Sequence, residues 1–223
     1  MNRDLLHAMR RTLRPRSAAL LLASVFLLSG CEVLLLGGAV MGTGLVATDR
    51  RTAGTQLEDE TIALKGESRA RALATLGHID VTSYNRVALI TGEVPTEADK
   101  AAVERVVAGV ENVRSVDNEL AIGENASLGQ RSSDSILTGK VKASLVDAKD
   151  LQANAFRVVS ARGNVYLMGL VTEREANRAA EVARGVPGVR RVIKVFEILS
   201  EDELARLGQA PAPAAAGAAS TPK

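Results

Sequence analysis

Three groups of residues have types or spacings that could support catalysis. They are His78, a possible general base, the carboxylate pair Glu173 and Glu175, and the glycines within residues 37–44, which could approach a phosphate. No nucleophile motif accompanies His78, and a helix capping box accounts for Glu175. No Gly-Lys-Ser/Thr sequence follows the glycines, as a phosphate loop requires. We therefore predict that the protein is not an enzyme and binds no cofactor.

The only cysteine, Cys31, indicates a different kind of chemistry. It ends the sequence Leu28-Ser29-Gly30-Cys31, which follows a basic segment and an apolar run at residues 18–28. That run has the length of a secretory signal and is too short to span a membrane. The arrangement resembles a bacterial lipobox, so we predict a signal peptide at residues 1–30 and acylation (diacylglycerol, palmitate) at Cys31. The alternative is an ordinary signal peptide followed by an incidental thiol.

The residue after the cysteine bears on location. Asp at this position is the usual signal for retention in the inner membrane of enteric bacteria, whereas this chain has Glu32. We therefore expect an anchor in the outer membrane, on its periplasmic face, although the similarity of Glu to Asp leaves the inner membrane as an alternative.

Charge and residue usage exclude several classes of ligand. The chain has 28 basic and 26 acidic residues, and removal of residues 1–30 takes away five arginines and one aspartate, which leaves a net charge of −2. Neither this charge nor export favours a nucleic acid partner. Without a second cysteine there is no intramolecular disulfide, and with His78 as the only remaining histidine we predict no metal site.

An internal repeat dominates the rest of the chain. Residues 58–123 and 133–199 contain the same patterns in the same order, at an offset of 77 that falls to 76 after Pro95. Residues 124–132 are the predicted linker. Residues 31–57 form an apolar, glycine-rich leader that we expect to be flexible, and residues 200–223 form an Ala/Pro-rich tail that we expect to be disordered.

Each copy has the pattern α-β-β-α-β. In the second copy, Ser133 or Asp134 could cap a helix, and Thr172 with Glu175 forms a capping box for the next one. The alternating residues 156–160 and 165–171 predict a pair of strands, and residues 189–199 predict a third. This order predicts an α+β fold in which two helices cover one face of a small, three-stranded mixed sheet. We expect Gly92 and Gly169, inside strands, to allow close approach of another element.

The strand sequence Gly163-Asn164-Val165-Tyr166-Leu167-Met168-Gly169, within an αββαβ unit, resembles the BON domain. Two such units behind a lipobox and a glycine-rich leader resemble the dual-BON-domain outer-membrane lipoproteins, the division- and outer-membrane-stress-associated lipid-binding family. This resemblance implies a periplasm-facing protein that binds anionic phospholipid (phosphatidylglycerol or cardiolipin) through its second domain. It also implies a role in envelope integrity and at the cell-division site.

The charges of the two copies differ in a way that fits this function. Residues 58–123 contain seven basic and twelve acidic residues, a net charge of −5, whereas residues 133–199 contain eleven and seven, a net charge of +4. Only the second copy would be attracted to an anionic surface. The alternative is that the imbalance holds the two domains together.

The first helix of the second copy provides the candidate lipid contacts. Because Leu137 belongs to an apolar stripe, Ile136 points partly outward at the helix start, with Lys140 one turn later. We predict a phospholipid site formed by Ile136, Leu137, Lys140 and Lys142. The family resemblance implies an aromatic residue at the position of Ile136, so the chain departs from the family pattern there.

A second function remains open from the sequence. The acidic first copy would suit a protein partner, so the chain could be an adaptor for envelope machinery, such as the β-barrel assembly complex or the regulators of cell-wall amidases. Lipid contact would then be incidental.

Overall fold

The computed structural model of the protein describes residues 49–73 and 76–209. The predicted signal peptide, Cys31 and most of the predicted leader lie outside the described residues, as do residues 210–223 of the predicted tail.

The first domain is built around one central strand. Its elements are helix α1 (Ala53–Arg71), strands β1 (His78–Tyr84) and β2 (Val87–Val94), helix α2 (Glu97–Ala108), and strands β3 (Ser115–Asn118) and β4 (Ala121–Ile122). The central strand is β2, which pairs with β1 in antiparallel orientation and with β3 and β4 in parallel orientation. The first domain has four strands, not the three predicted, because the chain leaves the ladder at Leu120. The Glu119 N–H still donates to the Ile90 carbonyl on β2, whereas the Leu120 N–H donates to the Asn118 side chain.

The second domain repeats this order without the interruption. It contains α3 (Leu128–Asp147), a 3₁₀ turn (Ala153–Ala155), β5 (Phe156–Ala161), β6 (Asn164–Thr172), α4 (Glu173–Arg184) and β7 (Arg191–Leu199), and a short helix α5 (Glu201–Gln209) follows. Strand β6 lies between antiparallel β5 and parallel β7. The predicted α+β class and αββαβ order are confirmed.

The central strand β6 is apolar on both faces because each face packs against a different partner. Val165, Leu167 and Val171 face the core beneath α3 and α4. The alternate residues Tyr166, Met168 and Leu170 form another buried cluster with Tyr84 and Leu89 of the first domain. The two sheets therefore share an apolar interface, and each keeps its helices on the other face.

Two strand glycines are sites of close approach, as predicted. A Cβ atom on Gly169 would lie 2.5 Å from the carbonyl oxygen of Ala155. At Gly92 it would lie 2.0 Å from the carbonyl oxygen of His78, and this residue also has a positive φ of 119°. Any side chain at either position would force the backbone to move.

The helices begin earlier than the sequence analysis expected. Helix α1 begins inside the predicted leader because the Thr52 hydroxyl caps it, accepting from the Thr55 N–H. Helix α3 begins at Leu128, inside the predicted linker, because Ser127 is its N-cap and accepts from the Gln130 N–H. Ser133 is therefore not a cap, and its hydroxyl donates to the Gly129 carbonyl within the helix.

The predicted disordered tail also begins with helical structure. Helix α5 starts after Ser200, whose hydroxyl accepts from the Glu203 N–H at 3.2 Å, while the Glu203 carboxylate accepts from the Ser200 N–H at 2.8 Å. This is a reciprocal capping box, which the Ala/Pro-rich composition of the following residues concealed.

Candidate functional site

The four predicted lipid-contacting residues all lie on helix α3, but they have different surroundings. Ile136 is 62% exposed. Leu137 is only 6% exposed and packs in the core with Val141 and Leu145. Ile136 is thus exposed beside buried Leu137, as predicted, but both lie near the middle of α3 because the helix begins at Leu128.

Ile136 and Lys140 line an open groove of about 440 Å³, which we call the α3 groove. Its walls are the first half of α3, the β5–β6 turn at residues 162–163, and the α4–β7 loop at residues 187–190. Leu137 contributes its apolar floor, and Arg190 lies on the wall opposite the helix.

A buried carboxylate shapes one wall of the α3 groove. Asp134 accepts hydrogen bonds from the backbone N–H groups of Arg162 and Gly163, both at 2.8 Å. These two residues have positive φ angles of 55° and 76°, which match the tight turn of a two-residue hairpin. Arg190 packs over this turn, since a Cβ on Gly163 would lie 3.0 Å from its Cδ. The turn thereby sets the position of the Arg190 side chain.

The α3 groove carries positive charge that the protein does not neutralise. Among the described residues, neither Lys140 nor Arg190 has a hydrogen-bonding or ion-pairing partner for its side chain. The third basic residue, Arg162, differs because its guanidinium lies 3.3 Å from the buried carboxylate of Glu93 in the first domain. Two uncompensated cations therefore lie beside an exposed isoleucine, an arrangement that can accept an anion attached to an apolar chain.

Lys142 does not belong to the α3 groove. It lines a separate cavity of about 320 Å³, with Val146 and Arg157 and with Asp49 and Arg51 from the start of the described chain. Six residues along a helix correspond to a rotation of about 240°, which places Ile136 and Lys142 on different faces. The structure thus brings together Ile136, Leu137 and Lys140, and it separates Lys142 from them.

Sequence reasoning did not identify Arg190 as part of the site. The signal lay in the repeat, because Arg190 corresponds to Arg114 at the offset of 76. Both N–H groups donate to the hairpin turn of their own domain, Arg190 to Gly163 and Arg114 to Arg86, each at 2.8 Å. Alignment of the copies could therefore have placed a cation against each turn.

In the first domain, the residues that correspond to the groove cations are paired. The first helices of the two copies align at an offset of 75, because Asp59 and Asp134 each bind the hairpin turn of their own domain. Lys65, which therefore matches Lys140, lies 3.2 Å from Glu111. Arg114, which matches Arg190, forms an ion pair with Glu197 of the second domain, and this hydrogen bond holds the pKa of Glu197 below its usual range. The same fold therefore has an uncompensated pair of cations in one copy and a neutralised pair in the other.

Comparison with known proteins accounts for both domains. The sequence model of the BON domain matches residues 59–124 and 133–200. The chain belongs to the BON-domain family. As a BON-domain protein, it is 38% identical over 192 residues to "Outer membrane lipoprotein DolP" of Haemophilus influenzae, an alignment that covers 84% of this chain and 99% of that protein.

A second relative agrees with this assignment. The chain is 36% identical over 151 residues to "21 kDa hemolysin" of Actinobacillus pleuropneumoniae, covering 66% of this chain and 78% of that one. A solved structure of CdsD, a type III secretion protein of Chlamydia trachomatis, aligns with 67% of this chain and 98% of its own at 14% identity. Its TM-score of 0.28 is too low to support an argument.

The relationship to the Haemophilus lipoprotein confirms the predicted location of this BON-domain protein at the outer membrane. No helix within residues 49–73 or 76–209 is both long enough and apolar enough to cross a bilayer.

Proposed function

We propose that this BON-domain protein is a non-catalytic lipoprotein, anchored through acylated Cys31, that binds anionic phospholipid in the α3 groove of its second domain. The observation that carries the proposal is the pair of uncompensated cations, Lys140 and Arg190, beside exposed Ile136. In this arrangement the lipid phosphate lies between the two cations, and an acyl chain contacts Ile136. Phosphatidylglycerol and cardiolipin provide this chemistry.

The expected affinity of the α3 groove is modest. A basic residue near an anionic membrane surface contributes about 1 kcal/mol, and Ile136 adds a small apolar contribution. The acyl chains on Cys31, at about 0.8 kcal/mol per buried CH₂ group, would hold the protein at the membrane. The role of the groove is therefore to orient the second domain and to select the lipid.

The wider charge distribution supports the second domain as the lipid-binding one. Each of the seven basic residues of the first domain bonds to a carboxylate or a carbonyl oxygen. In the second domain, seven basic side chains lack such a partner among the described residues; they are Lys140, Lys142, Lys149, Arg157, Arg184, Arg190 and Arg191. Only Arg162 bonds to the first domain, so attraction between domains accounts for little of the excess charge.

The family membership supports a physiological role that we also propose. A phospholipid-selective lipoprotein at the outer membrane would support envelope integrity and the maintenance of the envelope at the division site. The similarity to the Haemophilus outer-membrane lipoprotein supports this role, and the absence of any pattern typical of catalysis from the sequence agrees with it.

Sedimentation with vesicles tests the proposal. The chain from Asp49 onward, which includes every described helix and strand, is mixed with phosphatidylglycerol-containing or purely zwitterionic vesicles at low and moderate salt. We expect salt-sensitive binding to the anionic vesicles, with loss of binding in Ile136→Asp and Lys140→Glu. Lys142→Glu is the matched control, because it makes the same charge change outside the groove and should lose less. Equal binding by wild type and Lys140→Glu would contradict the proposal.

A second function, as an adaptor for envelope proteins, is favoured by one surface of the first domain. Leu57 and Leu64 are two turns apart on α1 and are both largely exposed, on a domain with a net charge of −5. A basic, partly apolar protein surface would complement them, such as a component of the β-barrel assembly complex or an amidase regulator. Photo-crosslinking from position 64 in cells, with exposed Ala101 on α2 as the control position, tests this function.

A further inference from the structure

A single arginine joins the start of the described chain to the second domain. Arg50 Nη1 and Nη2 donate to the two carboxylate oxygens of Glu175 at 2.8 and 2.7 Å, and Nη1 also donates to the Leu170 carbonyl at 2.6 Å. The Arg50 side chain is 6% exposed and that of Glu175 is 5% exposed. A bidentate ion pair of this geometry is among the strongest polar contacts that proteins form.

The next residue makes an equivalent attachment to the first domain. Arg51 lies 2.7 Å from the Asp59 carboxylate on α1, and its guanidinium carbon lies 3.9 Å above the centre of the Tyr84 ring. Tyr84 in turn donates to the Ala155 carbonyl of the second domain at 3.3 Å. Of these two consecutive residues, Arg50 therefore binds the second domain and Arg51 binds the first.

This attachment lies next to the lipid-binding helix. Asp49 and Arg51 line the same cavity as Lys142 and Val146, which lie on the second half of α3. Ile136 and Lys140 lie earlier on the same helix. The leader, and with it the predicted acyl anchor at Cys31, thus joins the folded part of the chain beside the helix that carries the candidate lipid site.

We propose that Arg50 and Arg51 form a positioning clasp that fastens the end of the leader to both domains and so holds the α3 groove toward the membrane that anchors Cys31. The inference rests on the proposed function, since the groove must bind lipid for its orientation to matter. Neither arginine touches the groove itself, so both act through the placement of the second domain.

Glu175 offers a variant that weakens the clasp and retains the local fold. One of its carboxylate oxygens accepts from the Thr172 N–H at 3.0 Å and completes the capping box of α4. Glutamine preserves this cap because its side-chain oxygen can accept the same hydrogen bond. It has no charge and only one acceptor, so it cannot hold Arg50 in a bidentate pair.

Trypsin tests the clasp directly, because it cleaves after arginine. In the full acylated chain on vesicles, we expect Glu175→Gln to release fragments that begin at Arg51 or Thr52 about tenfold faster than wild type. Glu181→Gln on the same helix, which removes an exposed ion pair to Arg178, should match wild type. Arg50→Lys keeps the cleavage site but not the bidentate pair, and it serves if the first variant unfolds. Unchanged release in Glu175→Gln and Arg50→Lys would overturn the proposal.

A fluorophore beside the groove tests the effect on orientation. A side chain on Gly139 would meet no atom within 4 Å, so Gly139→Cys can carry an environment-sensitive label next to Lys140. On phosphatidylglycerol vesicles, Glu175→Gln should reduce the emission change about threefold in the acylated chain, and should leave it unchanged in the chain from Asp49 onward. An equal reduction in both chains would indicate a merely structural role and overturn the proposal. If the wild-type label never responds to the lipid, the proposed function fails, whereas the trypsin result still decides whether the clasp exists.

Discussion

The two BON domains have the same scaffold and opposite net charge. The α3 groove of the second domain corresponds to the surface of the first domain around Glu58, Thr61 and Lys65, which we call the α1 face. In both domains, a buried aspartate on the first helix accepts the N–H groups of the hairpin turn, Asp59 in one copy and Asp134 in the other. Around this shared support, Lys65 of the first domain is paired with Glu111, whereas Lys140 of the second has no such partner.

The difference arises mainly from acids that the second domain lacks. The repeat aligns Glu111 with Pro187 and Glu58 with Ser133, and an exposed threonine, Thr61, with Ile136. The two uncompensated cations of the groove, Lys140 and Arg190, have basic counterparts in the first copy, whereas Arg162 matches Asn85. A surface suited to anionic lipid therefore arises by removal of the neutralising carboxylates and addition of one apolar side chain.

The largest expected effect is on the shared scaffold. Asp134→Ala removes the acceptor of the Arg162 and Gly163 N–H groups, and hydrogen bonds to a charged group contribute about 1.5–3 kcal/mol each. We expect a loss of about 3 kcal/mol in the free energy of unfolding, measured with urea. Asp134→Asn, which keeps one acceptor oxygen, should lose about half as much. A loss below about 1 kcal/mol in Asp134→Ala would show that water replaces the carboxylate.

The second effect concerns the acidic residue at the third position of the fourth helix, Glu175, whose counterpart in the first domain is Asp99. The hydrogen bond from Arg50 lowers the pKa of Glu175, and burial opposes this shift. A lowered folded-state pKa adds stability above the unfolded value, near 4.5, and this stability is lost as the pH falls through the folded value.

We therefore expect Glu175→Gln to cost about 2 kcal/mol at pH 7 and progressively less as the pH falls below about 4.5, in urea unfolding at each pH. Asp99→Asn is the matched control, because within residues 49–73 and 76–209 the Asp99 side chain hydrogen-bonds only its own N-cap, Thr96, and no arginine. A cost for Glu175→Gln that does not change with pH would contradict the role of the ion pair.

The third prediction concerns a variant in which the α3 groove acquires a neutralising carboxylate like that of the first domain. Pro187→Glu restores the carboxylate that Glu111 supplies in the other copy, and we expect it to pair with Lys140. Binding to phosphatidylglycerol vesicles should weaken about tenfold, which corresponds to about 1.4 kcal/mol. Pro187→Gln controls for the loss of proline, and it should bind as wild type does. Similar weakening in both variants would attribute the effect to the loop conformation.

The extent to which the sequence predicts the structure depends on the range of the interaction. The order of helices and strands, the capping box at Thr172 and the exposure of Ile136 follow from local periodicity and were predicted correctly. Helical periodicity also predicts that Lys142 and Ile136 lie on different faces of α3. The sequence analysis grouped them because they are close in sequence, and so it missed this separation. Arg190 lines the same groove as Lys140, from which it is 50 positions away in sequence, and Arg50 pairs with Glu175, 125 positions away. Local patterns contain no signal for either arrangement.

The smallest expected effect comes from giving the first domain the residues that surround the α3 groove, and this is the strictest test of the comparison. Glu58→Ser, Glu111→Pro and Thr61→Ile together install the residues of the second copy, which frees Lys65 and Arg86 and adds an exposed apolar side chain. We expect a gain of about two- to threefold in binding to phosphatidylglycerol vesicles, measured in a Lys140→Glu background that silences the α3 groove. The gain is small because Arg114 remains paired with Glu197, so only part of the positive charge is released. The further change Glu197→Gln should increase this gain in binding.

The contradicting outcome concerns the variant that combines the three first-domain changes with Lys140→Glu. If it binds no better than the Lys140→Glu parent, the two domains differ by more than the missing carboxylates, and the shape of the α3 groove itself must provide the selectivity.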